Sequence, residues 1–293
     1  MEKLVDKQKV VQNMVGRIIK NNFFKFIFFL STLFGLIVLV VLLYRIFTQA
    51  IGWLDADFLQ NFPSRRPERA GIKAGLVGSL WLMVIVAPVS LILGVGTAIY
   101  LEEYAKKNRF TDFIQTNISN LAGVPSIVFG LLGLTIFVRE LGLGRSVLAA
   151  GLTMSLLVLP VIVVAAQEAI RAVPNQLREA SYGMGATKWQ TIYRIVLPAA
   201  IPGILTGSIL ALSRAIGETA PLVVLGIPTF VAYLPKGILD TFTVMPMQIY
   251  NWTGRPQEEF QHVAAAGIVV LLVVLIFMNS IAIFIRNKFQ KRY

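Results

Sequence analysis

Arg214 and Glu218 stand four residues apart inside Ile201–Leu225, a stretch otherwise rich in apolar and small side chains. Four residues is about one helical turn, so the two charges share a face and can reach each other. A guanidinium at the centre of a bilayer costs about 2.5 kcal/mol or more unless it meets protein or a water-filled cavity. Two chemistries fit. Arg214 offers a positive, fork-shaped set of donors to a passing oxyanion, with Glu218 holding it and preventing overly tight capture. Alternatively, the pair neutralises itself and fixes helix packing. Gly203, Gly207, Ala211 and Ala215 run along nearly the same face, where small side chains admit a partner helix or border the path.

A second constellation lies just upstream, between Gln167 and Pro198. Pro174 permits a helix start at its own position. Glu179 and Ala180 sit on that helix, and Gly183 and Gly185 end it where a positive φ is expected. A second short amphipathic helix follows, with Trp189, Ile192 and Ile195 on one face, and Pro198 opens the next apolar stretch. An amphipathic helix pair outside a membrane requires a groove in a partner protein or a lipid interface to lie on. The residues alone leave that choice open.

Other chemistry is excluded by what the chain lacks. It has no cysteine and a single histidine, His262, so disulfides, thiol catalysis and Cys/His metal sites are ruled out. His262, beside Glu258 and Glu259, reads as a solvated interfacial residue. A phosphate-cradling loop needs Gly-Lys-Ser/Thr, and no Gly-Lys dipeptide occurs, so this chain carries no ATP site of its own. No His/Asp/Glu cluster inside the apolar stretches suits a membrane-embedded enzyme.

The elements that must position these residues are membrane spans. Apolar residues make up 56% of the chain and charged ones only 14%, which is incompatible with a water-soluble globule. A spanning helix needs about 20 mostly apolar residues. Six stretches qualify: Phe26–Phe47, Leu76–Leu101, Ile118–Val138, Ser146–Ala166, Ile201–Leu225 and Val263–Ile285. The net charge of +12 is distributed between them in a way that suits membrane orientation better than a groove for nucleic acid. One set of segments carries Lys3, Lys7, Lys9, Arg17, Lys20 and Lys25, then Lys106, Lys107 and Arg109, then Arg171, Arg178, Lys188 and Arg194, and finally Arg286, Lys288, Lys291 and Arg292. The opposite set carries Arg65, Arg66, Arg69, Lys73, Arg139, Arg145, Lys236 and Arg255, roughly half as many. Both termini are therefore expected in the cytoplasm, consistent with an even number of spans. The chain divides into a cytoplasmic arm (1–25), a first anchor (26–47), an external loop (48–70), a core of spans (71–285) and a cytoplasmic tail (286–293). The external stretch Tyr233–Gln261, with Tyr250 and Trp252, is a candidate docking surface. Gly123, Pro125, Gly130 and Gly133 make the third span locally irregular, lining a path or easing packing.

Glu179-Ala180-Ser181, Gly185 and Ile195-Val-Leu197-Pro198 resemble, in spacing, the EAA motif of binding-protein-dependent ABC importer permeases. Only Ser181 departs, one small residue for another. The resemblance covers roughly Gly71–Ile285. It implies the all-α, type I (MetI-like) importer permease fold in a bacterial-type inner membrane. It also implies that Glu179, Ala180, Ser181, Gly185, Ile195, Leu197 and Pro198 couple the chain to a separate ATPase, which holds ATP–Mg. Arg214-Ala-Ile-Gly-Glu218-Thr-Ala-Pro221, Gly123–Gly130 and Phe62-Pro-Ser-Arg-Arg-Pro67 are similar to segments of phosphate importer permeases, their A-type (PstA) branch in particular. That likeness implies further partners: a paralogous C-type permease, a dimeric ATP-binding subunit and an external phosphate-binding protein. The rivals are a permease of the same fold for another oxyanion, such as sulfate or molybdate, and an ion-driven secondary transporter. The latter typically has more spans and inverted repeats.

Overall fold

In the computed structural model, which describes residues 7–289, five helices are long and apolar enough to cross a bilayer, and one bent pair brings the possible spans to six. Lys3, Lys291 and Arg292, used above to orient the chain, lie outside the described residues. In chain order the helices are α1 (Lys7–Ala50), α2 (Ala56–Gln60), α3 (Lys73–Ile99), α4 (Arg109–Leu121), α5 (Ser126–Gly133), α6 (Val147–Arg171), α7 (Asn175–Gly183), α8 (Lys188–Thr191), α9 (Leu197–Gly217), α10 (Ala220–Leu225), α11 (Met245–Thr253) and α12 (Glu259–Phe289). Three π-helical turns extend this set: Tyr100–Tyr104 after α3, Leu134–Glu140 after α5, and Ile192–Val196 between α8 and α9. Among the described residues the only strand-like feature is an isolated bridge between Ser146 and Thr241.

Helix starts follow from short polar side chains that accept orphan N–H groups. Asn108 accepts from Thr111 N at 2.9 Å to start α4, and Ser146 from Ala149 N at 3.2 Å to start α6. The arm expected over 1–25 is, from Lys7 onward, part of α1 itself, since nothing between Lys7 and Lys25 breaks the helix.

Two expected spans are discontinuous, for the same reason. A proline inside a helix clashes with the carbonyl four residues earlier and offers it no N–H. Pro125 thus opposes Leu121, where α4 ends, and Pro221 opposes Gly217, where α9 ends. The stretch Ile118–Val138 is accordingly no single span: α4 and α5–Glu140 meet at 104°. Likewise Ile201–Leu225 is not one helix. The fifth span begins at Lys188, passes through the Ile192–Val196 π turn and stops at Gly217, with α10 as a separate piece. Pro88, Pro160 and Pro202 sit inside intact helices, so proline alone does not decide. The two short pieces α5 and α10 pack on each other so closely that a Cβ on Gly130 would lie 2.8 Å from Pro221 Cα.

Burial divides into three stacked clusters. The central one joins α3, α5, α6, α9 and α10 through residues such as Val86, Phe129, Met154, Ile162, Ala215 and Leu222. A cytoplasmic one gathers Ala98, Ala166, Ile170, Val173, Val196 and Ala200. In lipid, apolar burial alone gives little driving force, so close approach of backbones matters more. Gly203 and Gly207 of α9 press against Ala169 and Ala165 of α6, and Ala211 and Ala215 are buried. The small-residue stripe of α9 is therefore used inside this chain, rather than presented to a partner or to the path.

The outer cluster contains Ala50, Phe58, Ile72, Met245, Trp252, Phe260 and Val263. It corrects the reading of Tyr233–Gln261 as a docking surface. Trp252 is 1% exposed, its ring 5.9 Å from that of Phe58. Helix α11 dips back onto α3, with Met245 N donating to Ser79 Oγ and Gln248 Nε2 to the Gly71 carbonyl. Tyr233, Leu239 and Tyr250 remain exposed. His262 is likewise no solvated residue: its Nδ1 lies 2.9 Å from the Gln49 carbonyl, and its ring stacks on Trp53 at 6.2 Å. It ties the outer end of α1 to α12.

Candidate functional site: the cytoplasmic corner and the broken fifth span

The cytoplasmic corner is built by α7, a glycine turn, α8 and the π turn into α9. Gly185 has φ +81°, the left-handed conformation that a side chain opposes. Thr187 then starts α8 with a reciprocal capping box to Gln190. Ser181, the departure from the motif, is 2% exposed and shares a 2.8 Å hydrogen bond with the Thr191 hydroxyl, also buried. The serine therefore closes the corner from inside. Glu179 and Ala180 lie on the exposed side. Ile195 and Leu197 are half-buried, Leu197 against the cytoplasmic cluster, and Pro198 sits in the first turn of α9.

Trp189, Ile192 and Ile195 do not share a face. Ile192 is fully buried, whereas Trp189 is exposed and stacks on Tyr193 at 6.3 Å. The π turn that begins at Ile192 takes more residues per turn than an α-helix and so turns the register away from the expected stripe. Tyr182, Met184, Trp189 and Tyr193 are all exposed. These large side chains are grouped at the corner and left uncovered by this chain.

Sequence reasoning missed the residues that hold this corner to the bundle, Glu102 and Glu103 in the π turn ending α3. Glu102 accepts from Arg171 Nη2 at 2.6 Å and from Gln167 Nε2 at 2.9 Å. Glu103 accepts from Arg178 Nη2 at 2.9 Å, and this pair is well buried, with 8% and 15% of the side chains exposed. The only signal was an acidic doublet at the cytoplasmic end of a span, bordering a basic loop.

At the end of α9 away from that corner, Arg214 occupies the last turn and Glu218 is the C-terminal cap, with extended backbone (φ −73°, ψ 127°). They are not on one continuous helix, yet they meet: Arg214 Nε donates to Glu218 Oε1 at 3.0 Å. Arg214 is 55% exposed and Glu218 18%. Among the described residues, the Arg214 terminal nitrogens have no partner in this chain. The structure does not bring this pair and the cytoplasmic corner together. The preceding residue, Ser213, hydrogen-bonds Asn279 of α12 at 2.5 Å, and the two line an otherwise apolar groove of about 490 Å³ between α3, α9 and α12. Arg214 does not line that groove. On the external face, burial and then the like charge of Arg65 lower the pKa of the Arg255 guanidinium from its usual value. Arg255 lies over the Phe260 ring at 4.3 Å and donates to Asn251 and the Ser64 carbonyl.

Residues 90–292 match the family described as binding-protein-dependent transport system inner membrane component, more than half of the chain. The chain belongs to that family. It is thus a multi-pass inner-membrane protein of an ABC transport system that operates with an ATPase and a binding protein. The "Phosphate transport system permease protein PstA 1" of Mycobacterium tuberculosis (strain CDC 1551 / Oshkosh) is 37% identical over 88% of this chain and 86% of its own length. The PstA of Mycobacterium leprae is 38% identical over 89% and 86%. The "Probable ABC transporter permease protein YqgI" of Bacillus subtilis is 32% identical over 87% and 91%. Among solved structures, a chain of a bacterial ABC transporter importing the acidic polysaccharide alginate superposes with a TM-score of 0.64, at 18% identity, over 94% of this chain and 100% of that one. A chain of the inward-facing MetNI methionine ABC transporter gives 0.62, at 16% identity, over 74% and 95%. At those identities the likeness is one of fold, the type I importer permease.

Proposed function

We propose that this chain is a transmembrane permease subunit of an ABC importer for inorganic phosphate. The observation that carries the substrate is its likeness, over most of both chains, to relatives named as phosphate transport permeases. The geometry that supports it is Arg214, anchored at Nε by Glu218 and open at its terminal nitrogens. A planar fork of N–H donors suits a tetrahedral oxyanion, and the adjacent carboxylate keeps the net charge low enough for release. A guanidinium 55% exposed at membrane depth is unfavourable against lipid, so it faces a water-filled path or another subunit.

In this reading the chain pairs with a paralogous permease, and the two enclose the path. The exposed corner at Glu179, Ala180 and Gly185 docks into a dimeric ATPase that carries ATP–Mg, while an external phosphate-binding protein delivers the anion. ATP-driven closure of the ATPase pair pushes the corners, and the spans reorient around the cavity containing Arg214. The core 71–285 performs this cycle, and α1 stands outside it.

The test is ATP-driven uptake of labelled phosphate by the assembled complex in vesicles, with sulfate and molybdate as competitors. Uptake that needs ATP and is unaffected by either competitor is expected. No uptake of phosphate, with ATP-driven uptake of labelled sulfate or molybdate in its place, would assign a different oxyanion. Uptake without ATP, driven by an ion gradient, would overturn the reading.

A further inference from the structure

The junction between α6 and α7 is a hinge by its covalent chemistry. Ala172 and Val173 leave α6, and Pro174, with φ −57° and ψ 137°, has no N–H with which to continue the helix. The last backbone donors of this turn are Ala172 N, to the Glu168 carbonyl at 3.0 Å, and Val173 N, to the Ile170 carbonyl at 3.2 Å; none follows from Pro174. Backbone alone would let α7 swing about this strap.

Arg178, near the start of α7, closes the hinge. Its Nη1 donates to the Val173 carbonyl at 2.6 Å and to Asn175 Oδ1 at 3.2 Å. Nη2 donates to the Ile170 carbonyl at 3.0 Å and to Glu103 Oε1 at 2.9 Å. Nε donates to Glu103 Oε1 at 3.2 Å. A guanidinium has five N–H donors, and these five contacts occupy them. One side chain therefore ties together the end of α3, the end of α6 and the start of α7. The π turn at Tyr100–Tyr104 makes this possible, because it presents two consecutive glutamates to the same region, Glu102 to Arg171 and Glu103 to Arg178.

We propose that Arg178 and Glu103 are positioning residues for ATP-driven transport. They lock α7 to the ends of α3 and α6, so that displacement of the cytoplasmic corner moves those spans instead of being absorbed at Val173–Pro174. This inference rests on the reading of the chain as an ATPase-coupled importer subunit. The exposed docking residues Glu179, Tyr182, Met184 and Trp189 are distinct from the lock. Loosening it leaves the docking face in place and separates ATP hydrolysis from transport.

The experiment uses the full complex in proteoliposomes and reads phosphate imported per ATP hydrolysed. Arg178→Gln and Glu103→Gln should assemble with the ATPase and continue to hydrolyse ATP, while the ratio falls by about fivefold or more. Arg178→Lys, which keeps the charge but loses the fork, should lie between. The chain has no cysteine, so Glu103→Cys/Arg178→Cys can be joined by a reducible thiol cross-linker long enough to span the original side chains. The linked protein should recover the wild-type ratio and lose it on reduction. This arm also serves if the glutamine variants fail to assemble. A wild-type ratio in the glutamine variants, or a ratio indifferent to reduction of the cross-link, would overturn the lock alone. Absence of ATP-dependent uptake by the unmodified complex would overturn the functional reading and the lock with it.

Discussion

Arg178 and Arg214 each face a glutamate, and their surroundings differ sharply. Arg178 at the cytoplasmic corner is 15% exposed and has all five donors engaged, two on Glu103. Arg214 at the end of α9 is 55% exposed and gives one donor to Glu218. A saturated guanidinium is a joint: it has nothing left to offer, and its removal strands a buried carboxylate. An anchored but unsaturated one has its orientation set in advance and its remaining donors open. The same ion pair on paper therefore has two different meanings, and counting the donors in use is what separates them.

That distinction can be broken by mutation. The largest expected effect is Arg178→Ala, which leaves Glu103 buried without its partner and should cost about 3–5 kcal/mol. Thermal unfolding of the purified chain, together with protease sensitivity at Val173–Pro174, would measure it. An unchanged melting curve would deny Arg178 its structural role. Arg214→Gln is expected to leave that melting curve nearly unaltered while lowering phosphate uptake about 10- to 100-fold, the equivalent of one charge-assisted hydrogen bond. Normal uptake would remove Arg214 from the path, and loss of stability instead would make it a second joint. Gly185→Val forces a β-branched residue into the left-handed region and should cost about 1–3 kcal/mol locally, read as weakened co-purification with the ATPase. The smallest effect belongs to Ser181→Ala, about 1 kcal/mol, because it orphans the Thr191 hydroxyl. Adding Thr191→Val should return stability to near its original value, and a further loss in the double variant would show that the hydroxyl pair is not the relevant contact.

What the chain discloses before folding depends on how far apart the deciding atoms are. Gly185 as a positive-φ corner was legible because the turn, its glycine and the capping residues all lie within a few positions. The type I fold was legible for the same reason, through one local motif. Glu103 was not, since its partner lies 75 residues away and only tertiary packing pairs them. Hydropathy found the regions of the third and fifth spans but not their breaks, because a window averages side-chain transfer and ignores the N–H that Pro125 and Pro221 lack. Trp252 was misread for a related reason. An aromatic in an external stretch suits a membrane interface, and only the return of α11 onto α3 shows that it fills a core with Phe58 and Phe260. Arg214 and Glu218 were found correctly as neighbours although the helix between them ends, since four residues bring the two side chains within reach even with the second at the cap.

The attachment of α1 has a mechanical consequence. It packs on α12 through Ile46 and Ala50 at its outer end, with Trp53 just beyond the helix and the His262 contact at Gln49 beside them, while residues 16–42 are uncovered by this chain. A helix of 44 residues is about 66 Å long, so a tilt of about 10° at that fastening carries the far tip about 11 Å sideways. α1 is thus held to this chain at one end only, and its length multiplies any change of angle at that fastening.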